Sequence, residues 1–453
     1  MLCAPTARVL VVLLTVLAAS HVSLDAARRQ STRQVPVESL IYDLKNPDPV
    51  RRREAVVQLG INKVQRATPD LVALATDPDV SVRRALAVTL VQVADARSLP
   101  GFVTLTSDAE RDIRQQAIEA LTNLYLPQES GLVVTLNRVA NFFNPWSDEW
   151  GEVVVEPDLV VDPSAIAAVS ARLQDAEAGV RARAARSLGI LRARTAAPGL
   201  LAVLRDDRSD DARFEAVRAL RKIGDRSVAP ALVPLIPINA PRVRNEVVFT
   251  IGRLREESAL PELRRLLDKE LIAAPRDMDR AFALHLLDAI AVIGSPGSKS
   301  LLLSLQQSAD ADLRLHAVEG LARLADHASP QEVTAMAAAK LAEQDARVRL
   351  AQAFALYRMG REEHLVELVN ALGSRRTNDQ ARSYLLELQP AEVGDLVGHA
   401  GHTDVNVVEA IAEILGHVGN ASTLPTLHRL LQDTRGQVSA LAAQAIRRIE
   451  ART

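Results

Sequence analysis

The fold class this sequence predicts is an all-α solenoid, a superhelix of about twelve helix pairs broken by one irregular insertion. Three observations predict it. A degenerate unit, Asp-x-x-Val-Arg-x-x-Ala-Val-x-x-Leu-Gly, recurs with a basic step near 31 residues. Inside a unit the apolar residues stand three and four apart, as Val180, Ala184, Leu188 and Leu191 do, which is one face of a 3.6-residue helix. Large aromatics are scarce, with 7 Phe, 4 Tyr and 2 Trp in 453 residues, so the core must be built from Leu, Val, Ala and Ile.

The first 26 residues read as a secretory signal peptide. Arg8 precedes an apolar run from Val9 to Ala19, and the small residues Ser20 and Ser23 follow it. The run is too short to cross a bilayer of about 30 Å comfortably as a helix. Residues 27–36 read as a polar linker. The expectation is export to a periplasmic or extracellular location, with membrane anchoring if the N-terminal segment is retained. Removal of the segment would also remove Cys3, the single cysteine, leaving neither a disulfide framework nor a cysteine zinc site.

The repeats occupy 37–125 and 163–453. Aligned on the last aliphatic, they are marked by Leu59, Leu90, Leu121, Leu188, Leu220, Ile251, Ile290, Leu321, Leu356, Leu415 and Ile446, with a worn unit around Asp379 to Leu388. A second, shorter helix precedes each long one. Pro198, Pro230 and Pro261 stand near its front, where a missing N–H costs nothing. Asp79, Asp345 and Asp404 are placed to cap the long helices. Gly60, Gly189, Gly224, Gly252 and Gly294 fall near their ends, where an achiral residue eases the exit. Such a stack is expected to curve gently and to present one concave face. A pair of about 31 residues cannot bury its own apolar face, and stacking neighbours supplies the missing core.

These residues carry a resemblance. The unit and its 31-residue step resemble the HEAT repeat, specifically the short HEAT-like repeat first associated with phycobilisome lyases, over roughly residues 37 to 450. The resemblance implies a protein-binding scaffold; only some families that use the repeat are enzymes. Some HEAT-repeat hydroxylases bind iron through His-Glu dipeptides, and no His-Glu dipeptide occurs here.

Two features stand out as candidate sites. The first is an arginine at one repeat position: Arg52, Arg83, Arg114, Arg181, Arg213, Arg244, Arg314 and Arg349. Its recurrence beside a capping aspartate points to an internal ladder of Arg–Asp pairs joining successive units, of the kind the HEAT family is known for. The other reading is a cationic groove for an acidic ligand. The second is the acidic, aromatic insertion 126–162. It holds Phe142, Phe143, Trp146 and Trp150, directly after Tyr125, among seven acidic residues and one arginine. Insertions in repeats map to one face, often the binding face, and Trp and Tyr dominate interface energetics. The competing reading is a local plug whose aromatics fold back on neighbouring helices. Val153–Val155 and Leu159–Val161 about Glu156-Pro157-Asp158 suggest a small β-hairpin.

Other chemistry is not legible. His399, His402, His417 and His428 lie close in sequence to Glu409 and Glu413, but they lack the i, i+4 spacing of a helical metal pair, so no metal and no cofactor is expected. Nucleophile-elbow and phosphate-loop motifs are missing. Asn420-Ala421-Ser422 is a glycosylation sequon, meaningful in a eukaryotic source. A formal charge of −2 and few aromatics argue against nucleic acid as a partner. The expected function is a non-catalytic exported scaffold for a protein or peptide. The alternatives are an enzyme or enzyme subunit resembling the bilin lyases, and a membrane-anchored structural protein.

Overall fold

The computed structural model describes residues 36–93, 95–126, 154–155, 159–272 and 279–452. Among them every regular element is helical, and the chain divides into two compact units at Leu124/Tyr125. The signal-peptide segment lies outside the described residues, as do Phe142, Phe143, Trp146 and Trp150 of the insertion. No helix among the described residues is long and apolar enough to cross a membrane.

The first unit holds α1 (Val37–Asp43), α2 (Pro49–Ile61), α3 (Thr68–Val72), α4 (Val80–Val93), α5 (Leu99–Leu105) and α6 (Arg111–Leu124). The second begins with α7 (Pro163–Ala171), α8 (Ala178–Ile190), α9 (Ala197–Asp206), α10 (Asp210–Ile223), α11 (Ala229–Leu232), α12 (Pro241–Leu254), α13 (Leu260–Ile272) and α14 (Arg280–Ile293). It continues through α15 (Lys299–Leu305), α16 (Ala311–Arg323), α17 (Pro330–Ala342), α18 (Ala346–Arg358), α19 (Leu365–Ala371), α20 (Asn378–Leu385), α21 (Val393–Val397), α22 (Val405–Val418), α23 (Leu424–Leu430) and α24 (Val438–Glu450). Odd-numbered helices are mostly short and are commonly entered through a 3₁₀ turn. Even-numbered helices carry the repeat unit, and α20 is the worn one.

Within each unit the even helices pack on their even neighbours and on the odd helix before them. The aligned aliphatic is buried throughout: Leu59, Leu90, Leu121, Leu188, Leu220, Ile251, Ile290, Leu356 and Leu415 are wholly inaccessible. Each such side chain contributes on the order of 1.5–3 kcal/mol of apolar burial. Asp345 and Asp404 cap α18 and α22 through the amides of Arg347 and Asn406, and Asp79 accepts from Ser81 at the head of α4. Pro198 and Pro230 sit in the first turns of α9 and α11.

The glycines correct the sequence reading. Gly224 and Gly294 do end α10 and α14, at φ +70° and +68°, where a left-handed residue accommodates the exit. Gly189 and Gly252 lie inside the last turn of α8 and α12, and their role is packing. A Cβ on Gly189 would stand 2.7 Å from Ala219 Cα, and one on Gly252 would stand 2.8 Å from Ala289 Cα. Gly416 meets Ala445 in the same way at 2.9 Å, and Gly60 meets the Thr89 side chain. The Leu-Gly pair of one repeat therefore admits the Ala of the next to backbone contact, which sets the stacking distance.

Candidate functional site

The arginine ladder joins loops to helices. Arg52 donates Nε and Nη2 to Asp77 at 2.7 and 2.8 Å, and Nη1 to the carbonyls of Asn46 and Pro47. Arg83 repeats this with Asp108 and the carbonyls of Asp77 and Pro78, and Arg181 with Asp207 and the carbonyls of Asp175 and Ala176. Arg314 does the same with Glu343 and with Ser308 and Ala309. Arg114 and Arg349 keep the carbonyl bonds, to Asp108 and Ala109 and to Glu343 and Gln344. Arg244 reaches Asp279 and lies over Phe282, whereas Arg213 turns to the Leu204 carbonyl and Asp210. In the Arg52, Arg83, Arg181 and Arg314 pairs the acid is not the helix cap. It stands two residues ahead of it, as Asp77 does before Asp79 and Glu343 before Asp345. For Arg244 the acid is the cap itself, since Asp279 also accepts from the Phe282 amide at the head of α14. The hydrogen bond that Arg181 donates to Asp207 holds its guanidinium above the ordinary value against the opposing effect of burial. Fork-to-carboxylate pairs of this kind are geometrically specific.

The insertion is anchored at both described flanks. Leu126 and Val155 are buried with Ile190 and Leu191, and Tyr125 and Val161 pack on that cluster. Val155 N–H donates to the Ile190 carbonyl at 2.9 Å, and the Tyr125 hydroxyl accepts from the Asp162 amide at 3.2 Å. Val153 and residues 156–158 of the expected hairpin lie outside the described residues; of its described part, Val155 attaches to the end of α8.

Sequence reasoning missed a face made by α8, α10 and α12. Phe214 lies half-buried beneath Arg218 and Arg242, at 5.3 and 3.7 Å from ring centre to guanidinium carbon. Phe249 lies beneath Arg221 and Arg253, at 5.2 and 4.8 Å. Arg186 and Arg221 bridge to Glu215 and Glu246 on the following helices. Burial, with Arg186 beside it, lowers the Arg183 guanidinium to about 10. The available signal was Phe four residues before Arg on a helix, in Phe214/Arg218 and Phe249/Arg253.

A second missed group is Asp288, His316 and Glu319, whose ligand atoms lie within 4.8 Å of one another. His399, His402, His417 and His428 enter no such group among the described residues. His402, for example, faces Asn370 and accepts from the Asp404 amide.

The family model for HEAT repeats matches residues 37–122, 158–221 and 197–271. Over these residues the chain carries HEAT repeats. This HEAT-repeat chain is 27% identical over 194 residues to deoxyhypusine hydroxylase of Rattus norvegicus, covering 41% of this chain and 59% of that protein. It is 26% identical over 248 residues to deoxyhypusine hydroxylase of Homo sapiens, covering 52% and 71%. The match thus spans less than two thirds of the rat protein. Among solved structures it is similar to an engineered protein, at 19% identity and TM-score 0.37 over 91% of this chain and 98% of the other. It is also similar to a chain from a study of a phosphorylation switch between cadherin and beta-catenin, at 13% and 0.39 over 91% and 98%. The complex of CpcE and CpcF of phycocyanin lyase from Nostoc sp. gives 18% and 0.25 over 68% and 94%. The His-Glu dipeptides that the hydroxylase resemblance would require for iron occur nowhere in these HEAT repeats, so the residues do not fit that centre.

Proposed function

We propose that this HEAT-repeat protein is a non-catalytic, exported scaffold that holds an acidic stretch of another protein or peptide against α8, α10 and α12. The observation that carries the reading is the Arg–Phe face. Phe214 and Phe249 are each covered by two guanidinium groups, and Arg and aromatic side chains are the types that supply most interface energy. Partial desolvation strengthens each charge-assisted contact an incoming carboxylate makes there. The insertion supports the same place, because both its flanks are fixed to the end of α8, which also bears Arg183 and Arg186. Export rests on the charged, apolar and small-residue pattern of residues 1–26.

The test is capture from envelope or secreted extract of the producing cells, with bound proteins identified by mass spectrometry. The full chain should retain a defined partner that is released by moderate salt. Phe214→Ala/Phe249→Ala and a deletion of 127–153 should each weaken capture while leaving the helical signal intact. Equal capture by all three proteins would reject this face.

A further inference from the structure

We propose that Asp288, His316 and Glu319 form a site for one divalent transition-metal ion that staples the α13–α14 repeat to the α15–α16 repeat. The repeat register builds it. Asp288 and Glu319 occupy the same place in successive units, two residues before Ile290 and Leu321, and the helices that carry them, α14 and α16, pack side by side. His316 lies one turn before Glu319 on α16. Its Nδ1 is 3.2 Å from Glu319 Oε2 and 3.7 Å from Asp288 Oδ1. Donors of one ion at about 2.0–2.2 Å each lie close to 3 Å apart, so small side-chain rotations bring these three into range.

The charge balance favours a dication. All three side chains are largely shielded, with Glu319 14% and Asp288 20% exposed. Arg323 of α16 is taken up by Glu387, just past the end of α20, through two bonds of 2.8 and 2.6 Å. Asp312, also near His316, is held by Arg280 of α14 and Arg347 of α18. Arg323 also acts on Glu319 and Asp288 through its charge, but its hydrogen bonds and its counter-charge lie with Glu387, so the two carboxylates face one imidazole with no cation bonded to them. Metal-free, a single Nδ1–H must serve two carboxylates, and one of those distances is too long for a hydrogen bond. A dication in place of that proton satisfies both.

An outer contact orients the ligand. The Tyr384 hydroxyl donates to Glu319 Oε1 at 2.7 Å, leaving Oε2 toward His316. Tyr384 is itself fixed by Gln380 Nε2, 2.6 Å away, and by stacking on Phe354 at 4.6 Å. Metal ligands are commonly held in this manner by a second layer. One imidazole and two carboxylates suit borderline first-row ions such as Zn²⁺ and Co²⁺, with water completing the coordination. Burial alone would lower His316, but the hydrogen bond and charge of Glu319, with Asp288, raise it.

The experiment uses the full chain without an affinity tag, cleared with chelator. It is titrated with Co²⁺ by visible absorption and with Zn²⁺ by calorimetry. One equivalent should bind, and His316→Ala or Asp288→Asn should lower affinity at least about tenfold. His402→Ala and His417→Ala should bind as the parent does. Circular dichroism of each variant excludes loss of fold as the cause. No saturable equivalent in the parent, or unchanged binding in folded His316→Ala, would overturn the proposal.

Discussion

Replacing Gly189 by Ala should destabilise the stack, against the intrinsic preference of a helix. In an exposed helix interior this exchange gains about 1 kcal/mol. Here the new Cβ would meet Ala219 Cα at 2.7 Å and Ala219 Cβ at 3.0 Å, inside ordinary van der Waals contact. The nearer atom is backbone of α10, so no rotamer relieves the clash and the two helices must part. Overpacking of this kind costs about 1–3 kcal/mol. The net expectation is a loss of about 1 kcal/mol, and Gly252→Ala against Ala289 should behave alike. Gly394 in α21 is the control, since an added Cβ there meets nothing within 4 Å. Gly394→Ala should gain about 0.5–1 kcal/mol. Urea midpoints followed by circular dichroism report the sign of each change. If Gly189→Ala and Gly394→Ala both raise the midpoint, the close-approach account of the Leu-Gly pair is refuted.

Three further outcomes follow from the same contacts. Asp77→Ala leaves Arg52, 11% exposed, with its two carbonyl partners but no carboxylate, and should cost about 2–3 kcal/mol in urea unfolding; a cost near zero would show the pair to be solvated. Hydrogen bonds from Arg97 and Arg347 pull Asp95 and Asp345 down to about 2. Each therefore favours the folded state above the ordinary carboxylate range and loses that contribution as pH falls toward about 2, so Asp95→Asn/Asp345→Asn should flatten the acid limb of stability. His316 is raised, so in metal-free protein its contribution is complete below the ordinary histidine value and fades as pH climbs through the raised one. The melting temperature of His316→Gln should lack that decline.

The repeat was legible because its signal is periodic. Leu188, Leu220 and Ile251 recur at nearly constant steps, and the structure buries all three completely. What escaped depends on which residues meet across repeats. Gly189 looked like a helix stop because a single helix carries no sign of the Ala219 that will lie against it. The acids that hold the arginines were passed over for the caps two residues later, since both are polar residues in one short loop. Phe214 and Phe249 were hidden by aliphatic periodicity, although each precedes an arginine by one helical turn. Histidines were sought where they cluster in sequence, around His399 to His428. The group that converges instead joins Asp288 to His316 and Glu319 one repeat away.

The central claim is that this stack acts by holding a partner on the Arg–Phe face. A photo-crosslinking amino acid placed singly at Phe214, Phe249, Ile272 and Leu341 tests it most directly. Ile272 and Leu341 are 85% and 88% exposed, on α13 and α17 and not on the three helices of that face, and serve as references for random encounter. Irradiation in extract from the producing cells should yield one discrete adduct from positions 214 and 249 and none from 272 or 341. The same adducts from all four positions, or none from 214 and 249, would contradict the account.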